Sequence, residues 1–309
     1  MQTLEALQRD MDTADDLQSI VRTMKVLAAV SIRQYERALE ALADYQLTVD
    51  LGLQVVLKGR SMPPSKKQSP VTGVIVLGSD HGLCGRYNES IAAFAVAALD
   101  SAGFNPQQRR ILVVGARVDA SLKAIGQNVE ALFFVPGSVA GITQTVRQLL
   151  LHIDSWQQQG IERVLLFHNA HQQRMAYSPQ MRLLLPVDFD SFSPLNAKPW
   201  PSKSLPQFSQ DNSALLSSLI QQYLFIQLFS ACAESLAGEH ASRLASMQVA
   251  EKNIKERLEA LTAAHRLQRQ NQITEELLDV VAGFEALAGD AQVCSSRDAY
   301  VATKNNLNP

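Results

Sequence analysis

Apolar residues recur at every seventh position through the opening of the chain, at Leu7, Ala14, Val21, Ala28, Tyr35, Leu42 and Val49. Leu4, Met11, Ile32 and Leu39 supply a second seam position in four of these repeats. A spacing near 3.5 residues keeps one narrow stripe of a helix turned toward a partner helix, and Asp12, Asp15, Asp16, Gln18, Arg22, Arg33, Glu36, Arg37 and Glu40 form its polar complement. The pattern predicts a helix to about Leu57, roughly 80 Å long at 1.5 Å per residue, so it must project or wrap. A second stripe runs from Ser213 to about Leu287, through Ala237/His240, Leu244/Met247, Glu251/Ile254, Leu258/Leu261 and His265/Gln268. That is roughly 110 Å of helix, with Gly238 and Gly283 as weak points. Its first part, Leu215 to Phe229, is apolar nearly all round, which predicts burial on more than one side. Two stripes at opposite ends of one chain predict an antiparallel pair. Where the seam turns polar, at Glu251, His265 and Gln268, the pair loosens or meets another protein.

Proline separates these helices from the middle. Apart from Pro309, every proline lies between Pro63 and Pro206, leaving both flanks free of the residue that breaks helices. The middle alternates short apolar runs with helical stretches: Gly73 to Gly78, Asn88 to Asp100, Ile111 to Gly115, Val118 to Ile125, Leu132 to Val135, Ile142 to Gln158 and Val164 to Phe167. Such alternation predicts a mostly parallel sheet covered on both faces. Arg174 to Tyr177 and Met181 to Val187, around Ser178-Pro179, read as a closing hairpin. The predicted fold class is therefore α/β, a long antiparallel coiled coil of the N- and C-terminal helices plus a central Rossmann-like, mostly parallel sheet domain. Its divisions are a coiled-coil helix at 1–58, the α/β domain at 71–190, a second coiled-coil helix at 210–288 and a disordered tail at 289–309. Linkers at Lys58–Pro70 and Asp190–Ser209 join them.

Composition narrows the function classes. Lys and Arg number 28 against 30 Asp and Glu, a formal charge of -2, which carries no footprint for nucleic acid or an anionic membrane. The three cysteines, Cys84, Cys232 and Cys294, stand far apart with no C-x-x-C, against a disulfide framework or thiolate metal site. No basic stretch followed by an apolar run opens the chain, and no run of about eighteen apolar residues occurs, so neither signal peptide nor direct membrane insertion is expected.

The most distinctive local string is Ser79-Asp80-His81-Gly82-Leu83-Cys84-Gly85-Arg86-Tyr87-Asn88, after the first predicted strand and before a helix, where open α/β sheets bind ligands. It is neither G-x-x-x-x-G-K-[ST] nor G-x-G-x-x-G, so a structural turn with Asn88 near the helix N-cap is preferred to a phosphate cradle. Asp80, Gly82, Cys84, Gly85 and Asn88 are its structural positions. Asp80, His81 and Cys84 crowd one loop, whereas catalytic groups usually converge from separate elements. His168-Asn169-Ala170-His171 has no Cys, Asp or Glu nearby to complete a metal shell, and reads as a solvated loop. No catalytic residue, cofactor or metal site is predicted.

Four strings carry a resemblance. Met24-Lys25-Val26-Leu27-Ala28-Ala29, the Ser79–Asn88 loop, Glu239-His240-Ala241-Ser242-Arg243-Leu244-Ala245-Ser246-Met247 with Asn253, and Arg269 to Gly283 (RQNQITEELLDVVAG) stand in order on the predicted elements. Together they resemble the gamma subunit of F-type ATP synthases, the central rotating shaft, over nearly the whole length. The resemblance implies a role in coupling proton or sodium flow to ATP synthesis and hydrolysis by rotation, as a non-catalytic subunit peripheral to the cytoplasmic face of a bacterial inner membrane. It implies as partners the alpha and beta subunits of the catalytic ring, the epsilon subunit and the membrane rotor ring of c subunits. Met24, Lys25, Arg243, Met247, Arg269, Gln270, Thr274 and Glu275 are the ring contacts it implies. The chain departs from the family in the acidic run Glu5, Asp10, Asp12, Asp15 and Asp16, in Arg86 and Tyr87 for a usual Gly and Phe, and in Gln248 for a usual lysine. No cysteine-pair insert of the chloroplast type is present. Two other classes compete: a stand-alone coiled-coil adaptor with an α/β binding module, and an enzyme acting at the Gly82–Asn88 loop.

Overall fold

A computed structural model describes residues 3–57, 71–172, 176–187 and 211–304, with side chains described as far as Phe284. Both predicted linkers lie largely or wholly outside these residues. In chain order the elements are α1 (Leu4–Leu57), β1 (Thr72–Leu77), α2 (Tyr87–Ser101), β2 (Arg109–Val114), α3 (Ala116–Ala124), β3 (Val129–Phe133), α4 (Val139–Gln158), β4 (Arg163–His171), β5 (Tyr177–Leu185) and α5 (Asn212–Lys304). The chain forms two compact units, one of Met1–Val21 with Ala250–Pro309, the other of Arg22–Val249.

The heptad stripe of α1 is the buried one. Leu7, Ala14, Val21, Ala28, Tyr35 and Val49 are buried and Leu42 half-buried. On α5 every predicted seam position from Ala237 to Gln268 is buried or half-buried, polar ones included. Within the larger unit the helices run antiparallel: Tyr35 stacks on His240 at 5.8 Å, the Tyr45 hydroxyl donates to Gln222 Oε1 at 2.6 Å, and Gly52 lies against Leu219.

The sheet has the order β3-β2-β1-β4-β5, with β1 to β4 parallel and β5 antiparallel to β4. β1 is buried along its whole length because both faces are covered. Val74 and Val76 pack with Ile91, Ala95, Leu99, Val118 and Leu122 of α2 and α3. Ile75 and Leu77 pack with Ile142, Val146, Leu149 and Trp156 of α4 and with Leu224, Leu228, Ala231 and Ala237 of α5. The all-round apolar start of α5 thus serves two masters, α1 and the sheet. By length and composition alone, a window of α5 with mean hydropathy 1.3 could cross a membrane; burial of Leu224, Ile226 and Leu228 marks it as a core helix.

Three expectations need correction. The predicted hairpin is a single strand, β5, whose antiparallel partner is β4; Pro179 fits because β5 is the sheet edge, where a missing N–H is harmless. His168 to His171 belong to β4, not to a solvated loop, with His168 and Asn169 both 0 % exposed. His168 Nε2 and Asn169 Nδ2 find partners on other elements, which a local reading cannot see, while His168 Nδ1 and Asn169 Oδ1 have none among the described residues. α5 also continues as helix to Lys304, past the predicted end near Leu287, since no proline intervenes and Gly283 and Gly289 only weaken a helix.

Candidate functional site

The strand order reverses between β1 and β4, so the crevice beyond their carboxyl ends is where an open α/β sheet would take a ligand. The Ser79–Arg86 loop lines that place, and its polar groups turn on one another. Asn88, the second residue of α2 and not its N-cap, reaches back: Oδ1 accepts from Ser79 N at 3.0 Å, and Nδ2 donates to Ser79 Oγ at 2.9 Å and to Cys84 Sγ at 3.6 Å. Ser79 Oγ donates in turn to the His81 carbonyl at 2.9 Å. Asp80 bridges three elements, accepting from Ala116 N at the start of α3 and from Val135 N beyond β3, both at 2.8 Å. A carboxylate at a helix N-terminus is favoured by the orphan N–H groups and the dipole. Gly78 precedes the loop because a Cβ there would stand 2.4 Å from Val118 and 2.8 Å from Asn88 Oδ1. Leu83 and Gly85 take left-handed φ values of 65° and 60°, which curl the loop back on itself.

α5 covers one side of the loop, while Gly82 to Arg86 still line an open cavity with Arg117 and Ile125. Ser242 Oγ donates to the Cys84 carbonyl at 2.6 Å, and a Cβ on Gly85 would come within 3.3 Å of Ser246 Oγ. Tyr87, fully buried, donates to the Ser235 carbonyl at 2.6 Å and meets Tyr177 edge-on at 5.0 Å. Asn169 Nδ2 donates to the Tyr87 carbonyl at 3.1 Å. Gly238 brings α5 against the end of β4, where a Cβ would lie 3.1 Å from the Asn169 carbonyl oxygen. The weak point of the helix is thus its closest approach to the sheet.

Burial sets the charge states here. The Cys84 thiol and the Tyr87 phenol are both pushed up, chiefly by burial, so neither is an activated nucleophile or acid. Glu239 pairs with Arg243 at 2.6 Å, yet burial outweighs the guanidinium and holds its carboxyl above the usual range; Oε2 has no hydrogen-bond partner. Burial, aided by Arg243, pushes the His240 imidazole down to about 4.

A second cluster ties α5 to the far strands. Arg182 Nη2 on β5 donates to Glu234 Oε1 and Oε2 at 2.8 and 2.6 Å, and Nη1 donates to Ser230 Oγ at 2.9 Å. His168 Nε2 lies 2.9 Å from Glu234 Oε2. Burial raises the Glu234 carboxyl, but the His168 hydrogen bond and Arg182 outweigh it and hold it below the usual range, while burial pushes His168 down. His168 is therefore a neutral imidazole, protonated on Nε2 to donate to the carboxylate.

Asp80, Gly82, Cys84 and Gly85 lie in this loop, and Asn88 on α2 reaches back to Ser79 and Cys84. The eight residues that the resemblance gives as ring contacts do not form one set. Arg243 and Met247 are 8 % and 4 % exposed and face into this chain. Met24 and Lys25 are half-buried on α1, and Arg269, Gln270, Thr274 and Glu275 are exposed on α5, where Thr274 Oγ1 donates to the Gln270 carbonyl at 2.9 Å. Sequence reading missed Arg182, Glu234 and Ser235, none of which sits in a recognisable string, and took Gly238 only as a weak point of the helix.

A five-stranded α/β domain packed against α5, which within the larger unit runs antiparallel to α1, defines a class of fold. A profile of the ATP synthase family matches residues 3–287, and the chain belongs to that family. ATP synthase gamma chains of Granulibacter bethesdensis and Bdellovibrio bacteriovorus are 26 % and 25 % identical to it, over 93 % and 94 % of this chain and 100 % of each relative. A chain of the Euglena gracilis mitochondrial ATP synthase (OSCP/F1/c-ring) has a similar fold, with TM-score 0.61 at 17 % identity, covering 92 % of this chain and 94 % of that one. The Tetrahymena thermophila mitochondrial central stalk and c-ring structure contains another, with TM-score 0.53 at 20 % identity, over 75 % and 99 %.

Proposed function

We propose that this chain is the central rotor shaft of an F-type ATP synthase, coupling transmembrane proton or sodium flow to ATP synthesis and hydrolysis by rotation, without a catalytic site of its own. The observation that carries this reading is the exposed stretch 269–284 of α5. Beyond Gln268 the seam stops, and Ile273, Leu277, Leu278, Val280, Val281 and Phe284 are all about half exposed or more. An apolar stripe of this length on a helix calls for a sleeve from other chains. Alpha and beta subunits alternating around the paired helices supply that sleeve, with Met24, Lys25, Arg269, Gln270, Thr274 and Glu275 as contacts. An off-axis shaft touches each catalytic subunit differently, and that difference in contact free energy biases its open and closed states. The α/β domain, 71–190, faces the epsilon subunit and the ring of c subunits, while 1–58 and 210–288 form the axle. The complex is peripheral to the cytoplasmic face of the membrane.

Coexpression with the alpha and beta subunits of an F-type ATP synthase from the same organism tests the reading. A complex that hydrolyses ATP and contains this chain is expected. A soluble monomer that ignores those subunits would favour an adaptor instead.

A further inference from the structure

α5 brings the small residues Ala231, Ala233, Ala237 and Gly238 to this contact beside Leu228, Cys232 and Leu236. Hydrophobic burial holds such surfaces together but is non-directional. A rotor needs the opposite property, since a tangential load acts along the surface and not away from it.

We propose that torque passes between the α/β domain and the axle through a polar lock on successive turns of α5, with Arg182 and His168 as its positioning residues on the sheet side; this rests on the rotor reading above. The guanidinium of Arg182 spans one helical turn, holding Ser230 Oγ at 2.9 Å and both oxygens of Glu234 at 2.8 and 2.6 Å. His168, from the neighbouring strand, holds the same carboxylate at 2.9 Å and has no freedom to follow it, being fully buried. Farther along, Tyr87 holds the Ser235 backbone and Ser242 holds the Cys84 carbonyl, each at 2.6 Å. From Ser230 to Ser242 these contacts cover about 18 Å of helix at 1.5 Å per residue. Turning α5 about its own axis, or drawing it lengthwise past the sheet, breaks a bidentate, charge-assisted pair whose geometry is strict in both directions.

The neighbouring charges agree with a lock and not a loose ion pair. Arg182 and Glu234 are each about three-quarters buried, so salt screens them less than a surface pair. His171 Nε2, three residues from His168, lies 3.5 Å from Glu36 on α1, which gives the second helix of the axle its own tie to β4. Arg182 is the only member that pairs with two turns of α5, and the fork of its guanidinium is the feature a lysine cannot reproduce.

The test uses the whole complex in sealed vesicles and reads ion uptake per ATP hydrolysed. Arg182→Lys keeps the charge but loses the fork. It should leave assembly and ATP hydrolysis in place while uptake per ATP falls by about twofold or more. Glu234→Gln should act in the same direction. The exchange Arg182→Glu with Glu234→Arg should recover most of the loss, His168 then accepting through Nε2. Unchanged uptake per ATP in both single variants overturns the lock, as does an exchange that recovers nothing. Failure of Arg182→Lys to assemble also overturns it, since Arg182 would then be a folding requirement. If the unaltered chain joins no ATP-hydrolysing complex, the rotor reading itself fails, and that result is distinct from all of these.

Discussion

Tyr35 and His240 meet ring on ring between α1 and α5, and His240 Nδ1 lies 3.2 Å from Arg243, so a proton on this imidazole would face a cation inside a dry seam. The folded-state value near 4 lies below the usual 6.5. Between those two values the unfolded chain binds a proton that the folded chain refuses, so stability is lost as pH falls from about 6.5 toward 4. His168, also depressed, and Glu234, a carboxyl held low, act with the same sign. Glu239, held high, opposes them at the acid end. Thermal unfolding at pH 7 and pH 5 should show a lower midpoint at pH 5. His240→Gln should lessen the drop by on the order of 1–2 kcal/mol. Equal drops in both proteins would show that the imidazole is not the group responsible. Little of this was readable beforehand: the loop string named Asp80, Cys84 and Asn88, but not that Asn88 works backward onto Ser79. The β4 histidines read as polar and therefore exposed; the partner that holds His168, Glu234, lies 66 residues away.

Two glycines in α5 make the same sequence signal and opposite structures. Both are helix-interior positions that cost about 1 kcal/mol relative to alanine. Gly283 has nothing within 4 Å of where a Cβ would go, while at Gly238 the Asn169 carbonyl and Tyr177 Cβ stand at 3.1 and 3.3 Å. Gly283→Ala should therefore gain helix and stabilise by about 0.5–1 kcal/mol. Gly238→Leu, equally favourable to an isolated helix, should destabilise the seat by about 1–3 kcal/mol because the extra carbons have no room beside β4. Helicity by circular dichroism and the unfolding midpoint would separate the two, and a gain at Gly238 would mean that α5 and the sheet do not meet there. The elements themselves were legible because heptad spacing and buried parallel strands write period and hydrophobicity directly into sequence. β5 was read as a turn at Pro179 because an edge position, which excuses a proline, is a property of the sheet and not of the strand.

At the scale of the molecule, the exposed stripe on α5 is the feature that this chain alone does not explain. Ile273, Leu277, Val281 and Phe284 follow at spacings of four, four and three, one face of a helix, and none is covered among the described residues. Periodicity shows such a stripe in sequence but not whether this chain or another covers it; only the exposure of 269–284 among the described residues distinguishes the two. Arg243 and Met247 show the converse, residues that the resemblance would give to a partner and that the fold keeps. Burying a leucine or valine is worth about 1.5–3 kcal/mol, so Leu277→Lys with Val281→Lys, one turn apart, removes two such gains and brings two charges into an apolar sleeve. The doubly substituted chain should self-associate less on its own, and in a pull-down its affinity for the alpha–beta assembly should fall by at least about tenfold. The same pair of changes at Glu256 and Glu259, exposed positions on the solvent side of the seam, should alter neither measurement. Undiminished binding by the Leu277/Val281 variant would mean that the stripe faces solvent in the assembled complex, and the polar residues beside it, Arg269, Gln270, Thr274 and Glu275, would then have to hold the ring without an apolar contact to exclude water from them.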